Sequence, residues 1–128
     1  MTVFDDPDAP CHAHIYYTPD QRPAAAGLRE RLREEKAILF AGEMIDHPIG
    51  PHPMAQYEVH FLAGAVPKLI ALIEPSGLRA LVHPLTDDDL ADHTSLGHWI
   101  GEPVQLDLSV LDPPGQNKGL ARFGKRDV

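Results

Sequence analysis

The stretch Cys11-His12-Ala13-His14-Ile15-Tyr16-Tyr17, closed by Thr18-Pro19-Asp20, decides how this chain is read. Aromatic and branched side chains ending in turn formers make the pattern of a β-strand. Successive side chains of a strand point to opposite faces. Cys11, Ala13, Ile15 and Tyr17 therefore share an apolar face, and His12, His14 and Tyr16 share the other. A strand with one apolar and one histidine-bearing side implies a sheet that packs on helices and keeps its second face for another use.

Outward from this strand, the run Ala24 to Lys36 is rich in Ala, Leu, Arg and Glu and predicts a helix. Asp20 is its expected N-cap and Pro23 its first turn. Leu28 and Leu32 share its buried face, and Arg31 pairs with Glu35 in solvent. Ala37 to Ile45 predicts a second strand, with Gly42 as a bulge. Met54 to Leu62 predicts a third, with Ala55, Tyr57, Val59 and Phe61 on one face and Gln56, Glu58 and His60 on the other. Between these strands, Asp46-His47-Pro48-Ile49-Gly50-Pro51-His52-Pro53 is too rich in proline and glycine for regular structure. Gly64 to Glu74 predicts a second helix, with Val66, Leu69, Ile70 and Ile73 at helical spacing. Leu78 to His83 predicts a fourth strand, with Arg79, Leu81 and His83 facing away from Leu78, Ala80 and Val82. Thr86 caps a short helix running to about Gly97, and Val104 to Leu111 alternates as a fifth strand.

The order βαββαβ, followed by a helix and a strand, is an α+β, ferredoxin-like sandwich. In that plan strand 1 lies between strands 3 and 4, antiparallel to both. Helices cover one sheet face. The other carries Tyr16 and Leu81 and needs cover, which predicts a homodimer or higher oligomer of the dimeric α+β barrel kind. The domain runs from 11 to 111, and residues 1–10 and 112–128 read as tails, flexible or packed on a partner.

Composition narrows the function. With 128 residues, 43% of them apolar and 23% charged, the chain supports one cored domain rather than general disorder. Nineteen acidic against eleven basic residues give a net charge of -8, and no Lys/Arg-rich run stands outside a helix that also carries Glu, which disfavours nucleic acid or an anionic membrane surface as a partner. The longest apolar run is too short to span a bilayer. The acidic start of the chain does not read as a signal peptide. A single cysteine, Cys11, allows no intrachain disulfide and fits a cytoplasmic protein; on the apolar face it is expected to be inert.

Eight histidines demand a reason. In the predicted sheet, His12 and His14 of strand 1, Glu58 and His60 of strand 3 and His83 of strand 4 meet on the face away from the helices, with neighbouring strands about 5 Å apart. Imidazoles plus a carboxylate, with positions left open, suit Fe(II), Mn or Zn. The competing reading is the polar face of a half-exposed sheet. His52, held between Pro51 and Pro53, reads as a pre-positioned ligand or general base, or as a solvated loop residue. His93, on the short helix, reads as an acid/base group at the pocket rim, or as a surface residue bonded to Asp89. His47 and His98 read as surface residues. Trp99 is a pocket wall or core.

Together, Cys11 to Tyr17, Pro48 to Pro53 leading into Tyr57-Glu58-Val59, Leu81-Val82-His83-Pro84 and Asp88 to Thr94 resemble the DOPA 4,5-dioxygenase family, in the family's order and over residues 11 to about 111. The resemblance implies extradiol cleavage of a catechol by O2 at a non-haem Fe(II) centre, with Zn or Ni able to replace iron in purified protein. It implies His14, His52 and His83 as metal ligands with His12 close by, and His12, His52, Glu58 and His93 as catalytic candidates. The strand geometry favours His60 where the family favours His52. Two other readings stand beside it: a non-catalytic α+β module binding a metal or an aromatic ligand, and a cofactor-free monooxygenase on the same fold.

Overall fold

The structure, a computed structural model, describes residues 6–118 and 123–124. The expectations for residues 1–5, 119–122 and 125–128 lie outside the described residues. The described chain forms strands β1 (Pro10–Tyr16), β2 (Ile38–Ala41), β3 (Gln56–Leu62), β4 (Arg79–Pro84) and β5 (His98–Ile100). Helices α1 (Arg22–Arg33) and α2 (Val66–Ile73) form the two crossovers, and the short α3 (Asp89–His93) precedes β5. None of these helices is long and apolar enough to cross a membrane.

One antiparallel sheet has the order β2-β3-β1-β4-β5. Strand β1 is central, paired antiparallel to β3 and to β4. Its register decides everything downstream. His12 sits opposite His60 on one side and His83 on the other; His14 sits opposite Glu58 and Leu81; Tyr16 sits opposite Gln56 and Arg79. Directly opposed residues share a face, so all these side chains point away from the helices.

The alternate set builds the main core. Cys11, Ala13, Ile15 and Tyr17 meet Tyr57, Val59 and Phe61 from β3 and Ala80 and Val82 from β4, under Leu28 and Leu32 of α1 and Leu69 and Ile73 of α2. The larger apolar side chains among them, such as Ile15, Leu32, Phe61 and Ile73, each contribute about 1.5–3 kcal/mol when fully buried. Cys11 lies in this layer, where burial and then the nearby Asp92 carboxylate push its thiol up to about 12.

Several boundaries differ from the sequence expectation. Helix α1 is entered through a 3₁₀ turn capped by Thr18, not Asp20, with Gln21 reaching back to complete a capping box. Helix α1 ends at Arg33, so Glu35 lies beyond it and pairs with Lys68 of α2 at 2.7 Å rather than with Arg31. Strand β2 is four residues long, and its register shift lies between Ile38 and Phe40 rather than at Gly42. Gly42 instead allows close approach: a Cβ there would lie 3.2 Å from the Glu58 carbonyl oxygen. Helix α3 ends at His93 and is capped by Asp88, because the Thr86 hydroxyl is drawn to Asp92 at 2.6 Å.

The largest correction concerns the fifth strand. It forms at His98–Ile100 beside β4, not at Val104 to Leu111. Gly101, at φ +75°, turns the chain out of the sheet. The following segment crosses the histidine face irregularly, with one 3₁₀ turn at Leu108–Val110. Val104 and Leu106 pack on Tyr16, Leu81, Met54 and Trp99 as a second, smaller core. An apolar residue at every second position serves a draped segment as well as a strand, and so misleads. The face that was expected to need a partner subunit is covered by the chain itself.

Candidate metal centre

The site is built on β1, whose His12 and His14 rise from the sheet between β3 and β4. His12, His14 and His83 each offer one ring nitrogen within 4.8 Å of the others, and all three are buried. His14 Nε2 and His83 Nε2 are 3.0 Å apart. What each nitrogen carries follows from its other partner. His83 Nδ1 lies 2.8 Å from the Pro84 carbonyl oxygen, which can only accept, so His83 carries its proton on Nδ1. His14 Nδ1 lies 3.1 Å from Gln56 Oε1, which imposes the same tautomer. Two bare Nε2 lone pairs therefore face one another. That contact is repulsive unless a cation sits against both.

His12 adds a third. Its Nδ1 lies 3.2 Å from Glu58 Oε1, and its Nε2 is buried with no hydrogen-bond partner among the described residues. An orphaned buried acceptor is costly, about 1–3 kcal/mol, and calls for an explanation. The donor set fits a divalent metal: three neutral imidazoles aimed inward, each held from behind by an oxygen. Burial, and then the neighbouring imidazoles, hold His14 and His83 well below the ordinary histidine range, so both stay neutral as ligands must.

His12, Glu58 and His60 also come within 4.8 Å of one another. Here the atoms are already used. His60 Nε2 donates to Glu58 Oε2 at 2.8 Å, and His60 Nδ1 accepts from the Gly124 N–H at 2.7 Å. His60 has no lone pair left and stacks on His12 with 4.0 Å between centroids. Burial alone would raise Glu58, but the hydrogen bonds from His12 and His60 outweigh it and keep the carboxylate ionised.

His52 is placed by a tight turn. Its N–H and C=O both bond to Ile49 across Gly50-Pro51, and Gly50 has φ +55°, a conformation glycine adopts without strain. The imidazole is buried, 4.2 Å from His14 between centroids, and its Nδ1 meets the Tyr16 hydroxyl at 2.8 Å. His93 reaches the same cavity from α3, with its ring 4.3 Å from His83. Its Nδ1 donates to the Asp89 carbonyl at 2.8 Å, but the side chain is buried, so His93 lines the pocket and is not the surface residue of the competing reading. His47 and His98 are exposed and lie away from the cluster. Trp99 packs in the second core against Tyr16, with 5.9 Å between ring centroids.

The cavity over the cluster encloses about 180 Å³. A cavity of roughly 150 Å³ accepts benzene, so this one has room for a single aromatic ring. Pro51, Leu85, Val110 and Leu111 form its apolar walls. Its mouth is held by the segment after Leu111. The Asp112 N–H donates to Asp89, the Lys118 N–H donates to Asp112, and Asn117 donates to the Thr86 carbonyl and to Asp92. A larger depression, about 430 Å³, lies by Tyr17 and Pro48, but its charged groups, Arg22 and Asp46, are already paired at 2.9 Å.

The roles of four contributors escaped the sequence reading. Gln56 and Tyr16 lie on the histidine face by simple alternation, so the signal was present; only their chemistry looked ordinary. Asn117 and Lys118 carried no local signal.

The model of the Dopa 4,5-dioxygenase family matches residues 11–110. An uncharacterized 21.2 kDa protein of Botryotinia fuckeliana is 38% identical over 120 residues, covering 82% of this chain and 64% of its own. A DOPA 4,5-dioxygenase of Amanita muscaria is 34% identical over 123 residues, covering 87% and 53%. The chain thus spans little more than half to two-thirds of these relatives. The crystal structure of a candidate dioxygenase from Nostoc punctiforme superposes with a TM-score of 0.72 at 37% identity, over 80% of this chain and 90% of that one. The family pattern covers every strand that carries an inward imidazole, from His12 to His83, and the turn and helix that add His52 and His93: the chain belongs to the Dopa 4,5-dioxygenase family.

Proposed function

We propose that this chain is an extradiol ring-cleaving dioxygenase, acting on a catechol with O2 and Fe(II) on a ferredoxin-like scaffold. The observation that carries the proposal is the pair of bare Nε2 atoms of His14 and His83, 3.0 Å apart, with the orphaned His12 Nε2 beside them. These three would hold the metal. Bound Fe(II) would supply Lewis acidity and one-electron exchange between an aromatic diol and dioxygen.

The protein's own residues do the rest. Pro51, Leu85, Val110 and Leu111 hold the ring in an apolar slot and limit water. Glu58 fixes His12 from behind, as Gln56 and the Pro84 carbonyl fix His14 and His83. His93, with its proton committed to Asp89, presents a bare Nε2 that can take a hydroxyl proton from the diol. In the overall reaction one ring C–C bond beside a hydroxyl breaks and both atoms of O2 enter the product. A single ring-opened product results, with an aldehyde at one cut carbon and a carboxylic acid at the other, and no external reductant is consumed.

The test is oxygen uptake across a panel of catechols by protein stripped of metal and then reloaded anaerobically with Fe(II). Iron-dependent uptake with a yellow semialdehyde product supports the reading. Equal uptake by the stripped protein refutes it.

A further inference from the structure

We infer that Tyr16 is a positioning residue that sets the tautomer of His52, so that His52 gives the pocket a hydrogen-bond donor and not a metal ligand. The inference deepens the proposed reaction and, for its consequence, rests on that reading.

Tyr16 is fully buried on the histidine face of β1, packed with Leu81 and Val104. Among the described residues its hydroxyl has one hydrogen-bond partner, His52 Nδ1, at 2.8 Å. Either atom could donate at this distance, so the direction is decided by what each choice leaves unsatisfied. If Nδ1 donated, the phenolic proton would be buried with nothing to accept it. If the hydroxyl donates, both groups are satisfied. A neutral imidazole that accepts at Nδ1 carries its proton on Nε2.

This is the reverse of its neighbours. His14, His83 and His93 each point Nδ1–H at an oxygen that can only accept, and each leaves Nε2 bare. A metal binds a lone pair, which the Nε2–H of His52 lacks. The Gly50-Pro51 turn holds this ring 4.2 Å from His14, so the donor stands beside the ligand cluster. It is placed to hydrogen-bond an anionic oxygen of a bound diol, where a fixed neutral donor in a dry pocket is most effective. His52 thereby leaves the ligand set that the family resemblance implies, and His12 takes its place.

The experiment uses uniformly 15N-labelled full chain, metal-free and loaded with Zn(II). Long-range 1H–15N correlation spectra report which ring nitrogen of each histidine is protonated, with the His52 signals assigned by their absence in His52→Gln. The parent is expected to show His52 protonated at Nε2, and Tyr16→Phe to shift it toward Nδ1 with zinc stoichiometry unchanged. His52→Gln is expected to keep zinc, and His14→Ala to lose it. In iron-loaded protein Tyr16→Phe should lower kcat roughly 10- to 100-fold, the usual effect of removing a group behind a site residue, with little change in KM. A parent spectrum with His52 protonated at Nδ1 overturns the inference, as does loss of zinc from a folded His52→Gln; if that variant fails to fold, through-bond correlation from the His52 backbone to its ring assigns the parent signals. Failure of zinc to bind the parent defeats the metal reading instead, and the metal-free spectrum still decides this one.

Discussion

His14 and His83 face each other through Nε2 atoms 3.0 Å apart, and each has its Nδ1 proton committed to an oxygen on the far side of the ring. Removing either imidazole takes away half of that pair. His14→Ala and His83→Ala should each lose bound metal and reduce ring cleavage by orders of magnitude. His98→Ala, exposed and remote, should keep both. Metal content and initial rate, measured side by side, check this; a His14→Ala variant as active as the parent would sink the assignment.

His93 acts in a different capacity. His93→Ala should retain metal at the parent stoichiometry and turn over roughly 10²-fold more slowly, the scale of a lost acid/base group. Loss of metal from this variant would instead make His93 a ligand.

Glu58 braces two imidazoles at once, His12 at 3.2 Å and His60 at 2.8 Å. Glu58→Gln replaces one acceptor oxygen with a donor amide and so releases one of the two rings. Metal affinity should fall roughly 10- to 100-fold, measurable by competition with a chromophoric chelator. An unchanged affinity would mean that Glu58 does not brace a metal ligand.

Acidity should weaken the metal-free protein. Burial, then neighbouring imidazoles, hold His14 and His83 well below the ordinary range, and burial followed by His93 pushes His52 down to about 3. In the unfolded chain the same groups take up protons near pH 6.5. Below that pH the unfolded state binds more protons, so stability is full above it and falls as the pH drops. The slope is at most about 1.4 kcal/mol per pH unit for each such histidine. Tm of chelated protein should therefore fall steadily from pH 7 to pH 4. A flat profile would contradict the buried, neutral histidines.

Metal content should depend on preparation. Sites of nitrogen and oxygen donors bind Ni, Cu and Zn more tightly than Fe(II). Protein made without iron control should carry one of these by elemental analysis, and activity should rise only after stripping and Fe(II) reloading.

Much of this was legible because β1 is so regular. A strict alternation from Cys11 to Tyr17 separates core from site, and the antiparallel pairing with β3 and β4 follows from the order of elements. The register then brings His12, His14 and His83 together. What alternation cannot supply is hydrogen-bond direction. His60 and His12 look equivalent as letters, yet only the contacts with Glu58 and Gly124 reveal that His60 has no lone pair to offer. The segment from Val104 to Leu111 was misread for a related reason: period-two burial records which side chains are covered, not whether the backbone pairs. Nor does any local pattern around Asn117 foretell its bonds to Thr86 and Asp92, 31 and 25 residues away.

The irregular cover over the histidine face divides the labour of the molecule. The inward imidazoles of His12, His14 and His83 stand on paired strands, where a one-residue slip would turn each to the wrong side. Val110, Leu111 and Lys118, which border the cavity, belong to a stretch outside the sheet. Loops of this kind accept insertions and exchanges that strands do not. Reactivity and selectivity thus reside on separable parts of the chain, and descent can redraw the shape of the admitted molecule while the chemistry beneath it stays fixed.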